Sequence, residues 1–123
     1  MTPTARREFD PGLLELILEN VRPGDEITTL TAKRPNRIRS IERRGIEVET
    51  LRSDERGAGP QLVPAWMVTM AWEHLCSKRV LSQQELLDGL NVKRSAFVCA
   101  LLSRLPGVVI RSTRPTVLEL ADP

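Results

Sequence analysis

Residues 92–107 read VKRSAFVCALLSRLPG, and this stretch decides the fold. Its apolar residues recur at the spacing of an α-helix, and Leu105-Pro106-Gly107 ends the run. The side predicted to face the core carries Val92, Phe97, Val98, Leu101, Leu102 and Leu105. The side predicted to stay outside carries Lys93, Arg94, Ser95 and Arg104. The pattern therefore predicts a helix over 93–105 whose N-terminal end is basic.

Two helices are predicted before this stretch and a β-hairpin after it. Residues 65–77 follow Pro64 and carry an apolar arc broad enough for a helix packed on two sides. Ser82 and Glu85 form an S-x-x-E capping box, which predicts a second helix over 83–90. GVVIRS and TVLEL then flank Thr113-Arg114-Pro115 as the two strands of a hairpin. This order of elements is typical of a winged helix-turn-helix.

The N-terminal part of the chain has a different pattern. Asp10-Pro11-Gly12 begins an amphipathic helix, and EITTLTA, RIRSIE and GIEVETL follow as three predicted antiparallel strands. The polar stretch SDERGAGPQ is the predicted linker. The expected fold is α+β: an N-terminal helix and small antiparallel sheet (1–57) packed on a winged helix-turn-helix (58–123).

Charge is distributed unevenly, although the formal net charge is only +2. One basic stretch has a single acid, Glu42, among the cations Lys33, Arg34, Arg37, Arg39, Arg43 and Arg44. The other has no acid among the cations Lys93, Arg94, Arg104, Arg111 and Arg114. Two local basic stretches in a nearly neutral chain fit contact with a polyanion, although two solvated surfaces would look the same.

The basic helix start predicts contact with double-stranded DNA. In helix-turn-helix proteins the first residues of the second motif helix enter the major groove. Arg94 can then pair with guanine, while Lys93 and Ser95 reach phosphates or base edges. Arg104 lies on the same helix, and Arg111 and Arg114 lie on the wing. The alternative is a protein–protein interaction or dimerisation module, because winged helices also serve that purpose.

The turn AKRPNRIRS is a second candidate DNA contact. Its predicted contact residues are Lys33, Arg34, Asn36, Arg37 and Arg39. A phosphate-gripping loop is one interpretation of this turn. The other is an exposed hairpin whose charges keep an edge strand soluble.

Other functional classes find little support in the sequence. Aromatic residues are limited to two Trp and two Phe, which argues against a base-stacking platform for single strands or RNA. The lone His74 has no catalytic partners at suggestive spacing, so we expect no enzyme, metal or cofactor. Cys76 and Cys99 are expected to be buried, reduced thiols. No signal peptide or membrane span is predicted, so the expected location is the cytoplasm, without a membrane partner.

Three phrases together resemble a known module: TLTAKRPNRIRSIERRGIEVET, LVPAWMVTMAWEHL and VKRSAFVCALLSRLPGV. They are similar to the N-terminal head module of bacterial McrA-like restriction endonucleases of the HNH type, over about residues 26–120. The resemblance implies DNA association in bacterial restriction-modification or defence. It transfers no catalytic residue, because one histidine cannot build an HNH cluster. A nuclease domain or protein is therefore an expected partner, and a homodimer is possible.

Overall fold

A computed structural model describes residues 8–50 and 59–121. Helix α1 spans Pro11–Asn20, and the Asp10 carboxylate accepts hydrogen bonds from the backbone N–H groups of Gly12 and Leu13. Proline in the first turn and an aspartate cap are the expected start signals, so the sequence prediction of this helix is confirmed. Leu13 and Ile17 are buried, but Leu18, on the predicted apolar face, is exposed.

Four strands form an antiparallel sheet in the order β1-β2-β3-β4. They are β1 (Glu26–Thr28), β2 (Pro35–Glu42), β3 (Gly45–Thr50) and β4 (Gln61–Pro64). The sequence predicts three strands and misses β4, which is short and ends at a proline. Pro35 and Asn36 also differ from the prediction, because they begin β2 instead of forming the turn. The linker prediction and the boundary between residues 57 and 58 fall largely outside the described residues.

The remaining elements form a second sheet with three helical segments. Helix α2 (Ala65–Lys78) is followed by β5 (Val80–Ser82), a π-helical turn (Glu85–Gly89) and helix α3 (Ser95–Leu102). The hairpin β6 (Val108–Thr113) and β7 (Thr116–Leu120) completes the chain, and the strand order is β5-β7-β6. We call this hairpin the wing. The predicted helices and hairpin are present, whereas β5 had no signal of its own.

The predicted capping box is confirmed in atomic detail. The Glu85 backbone N–H donates to the Ser82 hydroxyl at 3.1 Å, and the Ser82 N–H donates to the Glu85 carboxylate at 3.0 Å. These reciprocal bonds satisfy donors that a helix start leaves free. The helix they begin continues as a π-helical turn, which the sequence pattern does not predict.

Helix α3 is buried along almost its whole length. Every residue from Phe97 to Leu102 is at most 3% exposed, because α2 packs against the helix on one side and β1 on another. The six residues predicted to face the core are all buried. Both sheets and α3 share one apolar core, which extends from Phe9 to Leu118. Within α3 only Ala96 is partly exposed, and the exposed Lys93 and Arg104 lie just outside its two ends.

The two cysteines differ in their exposure to solvent. Both are free thiols, but Cys76 is exposed and Cys99 is fully buried. The expectation of a buried thiol is wrong for Cys76, which lies near the end of α2 on its solvent side. For Cys99, burial raises the thiol pKa to about 12.

Candidate nucleic-acid interface

A cavity of about 730 Å³ opens where the first sheet meets the start of α3. We call it the basic cavity. The N-terminal part of the chain contributes Thr29, Arg34, Pro35, Asn36 and Thr50. The C-terminal part contributes Gln83, Leu87, Lys93, Arg94, Ser95, Ala96 and Phe97. The cavity thus brings the two basic stretches of the sequence together.

The described lining of the basic cavity is cationic. It includes Arg34, Lys93 and Arg94, and no Asp or Glu is among the lining residues within 8–50 and 59–121. Lys93 is exposed and Arg94 is partly buried. The Arg94 guanidinium donates to the Gln61 side-chain oxygen in β4, which holds Arg94 at the cavity rim. Three cations in a described lining that contains no carboxylate attract anions.

The loop that carries Arg34 is held by hydrogen bonds to its own backbone. The Arg34 N–H donates to the Thr29 hydroxyl at 2.8 Å. The Asn36 side-chain amide donates to the backbone carbonyls of Arg34 at 3.2 Å and Ile27 at 3.4 Å. Asn36 is only 6% exposed, so its amide organises the loop. Asn36 also lines the basic cavity, and its DNA contact stays a prediction.

Ser95 also departs from the sequence prediction. The sequence places it on the outer side of the helix, but it is 3% exposed at the first residue of α3. The sequence prediction starts the helix at residue 93, whereas Lys93 and Arg94 precede its first turn. Within α3, Ser95 lies three and seven residues before the buried Val98 and Leu102, so helical spacing places it on their side of the helix.

The wing tip contacts the loop that carries Lys33 and Arg34. The Thr31 hydroxyl donates to the Thr113 carbonyl at 2.6 Å. Arg114 is exposed at the tip of the wing, next to Thr113. Three predicted DNA-contact residues, Lys33, Arg34 and Arg114, therefore lie on connected loops.

The other predicted contact residues lie elsewhere or have protein partners. Arg37 and Arg39 alternate with the buried Asn36 and Ile38, so they face away from the core side of the sheet. Arg39 pairs with Glu49 at 3.0 Å, and Arg111 pairs with Glu119 at 3.1 Å. Arg104 donates to the Glu26 backbone carbonyl at 3.1 Å.

Several lining residues carry no signal in the sequence. In the sequence, Thr29, Thr50, Gln83 and Leu87 are ordinary loop, strand and helix residues. Only the packing of α3 against the first sheet brings them to the cavity.

Across residues 8–50 and 59–121, no group of three or more His, Cys, Asp or Glu side chains is placed to hold a metal ion. In the same part of the chain, no helix is both long and apolar enough to cross a membrane.

No family model, curated protein or solved structure matches the chain. The resemblance to the head module of McrA-like endonucleases stays a prediction from the sequence.

Proposed function

We propose that the chain is a winged helix-turn-helix protein that binds double-stranded DNA through the basic cavity and the neighbouring wing tip. The observation that carries the proposal is the meeting of Arg34 with Lys93 and Arg94, from two separate basic stretches, at one cavity. The order of α2, β5, the π-helical turn, α3 and the wing supports the winged-helix assignment, as does the strand order β5-β7-β6.

In the proposed contact, the middle of α3 does not enter a DNA groove. Residues Phe97–Leu102 of α3 are buried, so the middle of the helix has no surface for a groove. Lys93 and Arg94 lie at its N-terminal end, which is the end that approaches bases in helix-turn-helix complexes. Arg94 would read guanine from the cavity rim, and Lys93, Arg34 and Arg114 would neutralise phosphates.

Fluorescence anisotropy with a short duplex across a salt series tests this proposal. Wild-type affinity is expected to fall with salt by about 0.9 in log-log slope for each phosphate neutralised. The triple variant Arg34→Gln, Lys93→Gln, Arg94→Gln is expected to lose most affinity and to flatten that slope. Arg94→Gln alone should cost about 1–3 kcal/mol at a preferred site and relax base discrimination there.

A charge-matched control separates this surface from net charge. Arg37→Gln, Arg39→Gln, Arg44→Gln also removes three cations, but from residues outside the described lining of the cavity. It is expected to bind DNA nearly as well as wild type. Equal losses in the two triple variants, with both proteins folded, would refute the assignment of the basic cavity as the contact.

The alternative function, an interaction or dimerisation module, has one observation in its favour. Strand β6 lies at the edge of the second sheet and exposes Val109 and Ile110, at 47% and 43%. Exposed edge strands can pair with another chain. This alternative predicts a dimer whose amount, measured by sedimentation, rises with protein concentration and which is lost in Val109→Lys. It also predicts that substituting Arg94 leaves DNA binding unchanged. A monomer at all concentrations would count against self-association.

A role in bacterial restriction or defence rests on the resemblance alone. We propose that any nuclease activity comes from another domain or protein, since the chain has a single histidine. Purified protein with Mg²⁺ is then expected to leave a duplex intact. Cleavage that tracks with the purified chain and disappears in Glu47→Ala would overturn this.

A further inference from the structure

The start of α3 has hydrogen-bond donors without acceptors. The first intrahelical bond runs from the Val98 N–H to the Arg94 carbonyl, and no side chain among residues 8–50 and 59–121 caps the helix. The N–H groups of Ser95, Ala96 and Phe97 are consequently left without intrahelical acceptors. All three residues line the basic cavity. This end of the helix also carries the positive end of the helix dipole.

The Ser95 hydroxyl is a second, independent observation at the same place. Ser95 is 3% exposed and lines the cavity, yet its hydroxyl makes no hydrogen bond within the described ranges. Among the described residues, the buried side-chain atoms without a hydrogen-bond partner are Thr69 Oγ1 and His74 Nε2, so the Ser95 oxygen is open to the cavity, where it can donate to a bound molecule. Ser103, the residue that follows α3, differs: its hydroxyl donates to the Ala100 carbonyl at 2.6 Å.

The charges around the helix start are opposite to those that would stabilise an isolated helix. Acidic side chains are favourable in a first helical turn, but α3 has none there and is preceded by Lys93 and Arg94. Arg34 adds a third cation from the facing loop. Positive side chains at a positive helix end are unfavourable in the free protein and become favourable when an anion binds between them.

We propose that the start of α3 is a phosphate-binding site. The Ser95 hydroxyl and the first-turn N–H groups would donate to the phosphate oxygens, and Arg34, Lys93 and Arg94 would supply the charge. The inference deepens the proposed function, because a phosphodiester of duplex DNA is one source of this group. A free phosphomonoester such as a 5′-mononucleotide is the other, and the cavity has room for its base beside Pro35 and Leu87.

The test combines amide NMR with a matched pair of serine variants. Inorganic phosphate, adenosine 5′-monophosphate and a short duplex are titrated separately into the full chain, with chloride at equal ionic strength as reference. Phosphate is expected to shift the amide signals of Ser95, Ala96 and Phe97 first. Ser95→Ala is expected to weaken phosphate binding about tenfold, the loss of one charge-assisted hydrogen bond. Ser103→Ala is expected to bind as wild type does.

The outcomes separate this inference from the DNA-binding proposal. If phosphate shifts none of the three amides and Ser95→Ala binds the duplex as wild type does, the site is refuted while DNA binding stands. If phosphate and mononucleotide bind in a Ser95-dependent way and the duplex does not, the site stands with a free phosphomonoester as its source. Lys93→Gln, at an exposed position, repeats the test without touching the core, and unchanged phosphate affinity there refutes the site.

Discussion

The hydroxyl oxygens of Thr31 and Thr116 lie 2.6 Å apart, joining the loop before β2 to the second strand of the wing. The Thr113 carbonyl accepts from the Thr31 hydroxyl at 2.6 Å and lies 3.5 Å from the Thr116 hydroxyl, so the three groups form one small network. Thr116 is 1% exposed. This small network fixes the loop carrying Lys33 and Arg34 against the wing tip, where Arg114 lies.

Removing the Thr31 hydroxyl is expected to loosen that junction. Thr31→Val should lower the free energy of unfolding by about 1 kcal/mol, because a partly buried hydrogen-bond network loses its centre. Urea denaturation of the single variants and the Thr31→Val, Thr116→Val double variant measures the coupling. Thr28→Val, at an exposed position in β1, is the control and should change stability little. Strictly additive losses in the double variant would contradict the network.

The two wing arginines are expected to contribute unequally to DNA binding. Arg114→Gln should weaken binding to all sequences and lower the salt slope by about 0.9, because one phosphate contact is lost. Arg111→Gln should matter less, since Arg111 already pairs with Glu119. Glu119→Gln releases Arg111 and is expected to strengthen binding. Anisotropy titrations across salt measure all three, and a greater loss for Arg111→Gln than for Arg114→Gln would contradict the assignment.

Gly45 is expected to tolerate no side chain. Its φ is +152°, and an added Cβ would collide with the Val63 carbonyl and lie 3.1 Å from the Ala65 nitrogen. Gly45→Ala should lower the free energy of unfolding by about 1–3 kcal/mol, as overpacking does. Gly89→Ala is the control, because an added Cβ there meets nothing within 4 Å. Chemical denaturation compares the two variants. Similar stabilities would show that β4 shifts easily to make room for the added Cβ.

The capping box predicts a pH-dependent contribution from Glu85. The Ser82 backbone N–H is the main cause of a lowered Glu85 pKa; burial partly opposes it, and the Ser82 hydroxyl and His74 lower it further. Because the folded-state pKa lies below the unfolded value, the carboxylate stabilises the fold above about pH 4.3. That stability is lost as the pH falls through the folded pKa.

Glu85→Gln tests this contribution. The carboxylate is mostly exposed, so the variant should lose under about 1 kcal/mol near neutral pH and match wild type in acid. Denaturation at a series of pH values measures the difference, with Glu15→Gln on the exposed side of α1 as control. A difference that grows toward acid would contradict the assigned sign.

The two thiols are expected to react at different rates. Burial raises the pKa of both, but Cys76 is exposed, whereas Cys99 is inside the core with a pKa of about 12. An aromatic disulfide reagent at mildly alkaline pH should label Cys76 in the native protein and Cys99 only after unfolding. Cys76→Ser should abolish the native reaction. Fast labelling of Cys99 in that variant would contradict the burial of α3.

Local sequence patterns determined most of the secondary structure. The apolar spacing of residues 92–107, the Ser82–Glu85 capping box and the alternation in GIEVETL each depend on neighbours a few positions away. Those patterns predict α1, α2, α3, three strands and the wing. These patterns can be recognised without the fold, because the apolar repeat spans one turn in a helix and two residues in a strand.

Tertiary packing decided which predicted residues meet. Strands β4 and β5 are stabilised by pairing with β3 and β7, and three or four residues carry too little local signal to predict them. Burial of α3 under β1 removed its middle from the surface and turned Ser95 inward. The same packing brought Arg34 to Lys93 and Arg94, while Arg111 found Glu119 across the wing. Contacts between residues distant in sequence leave no repeating pattern of residue types in the sequence. The basic cavity is therefore specified only by the folded chain.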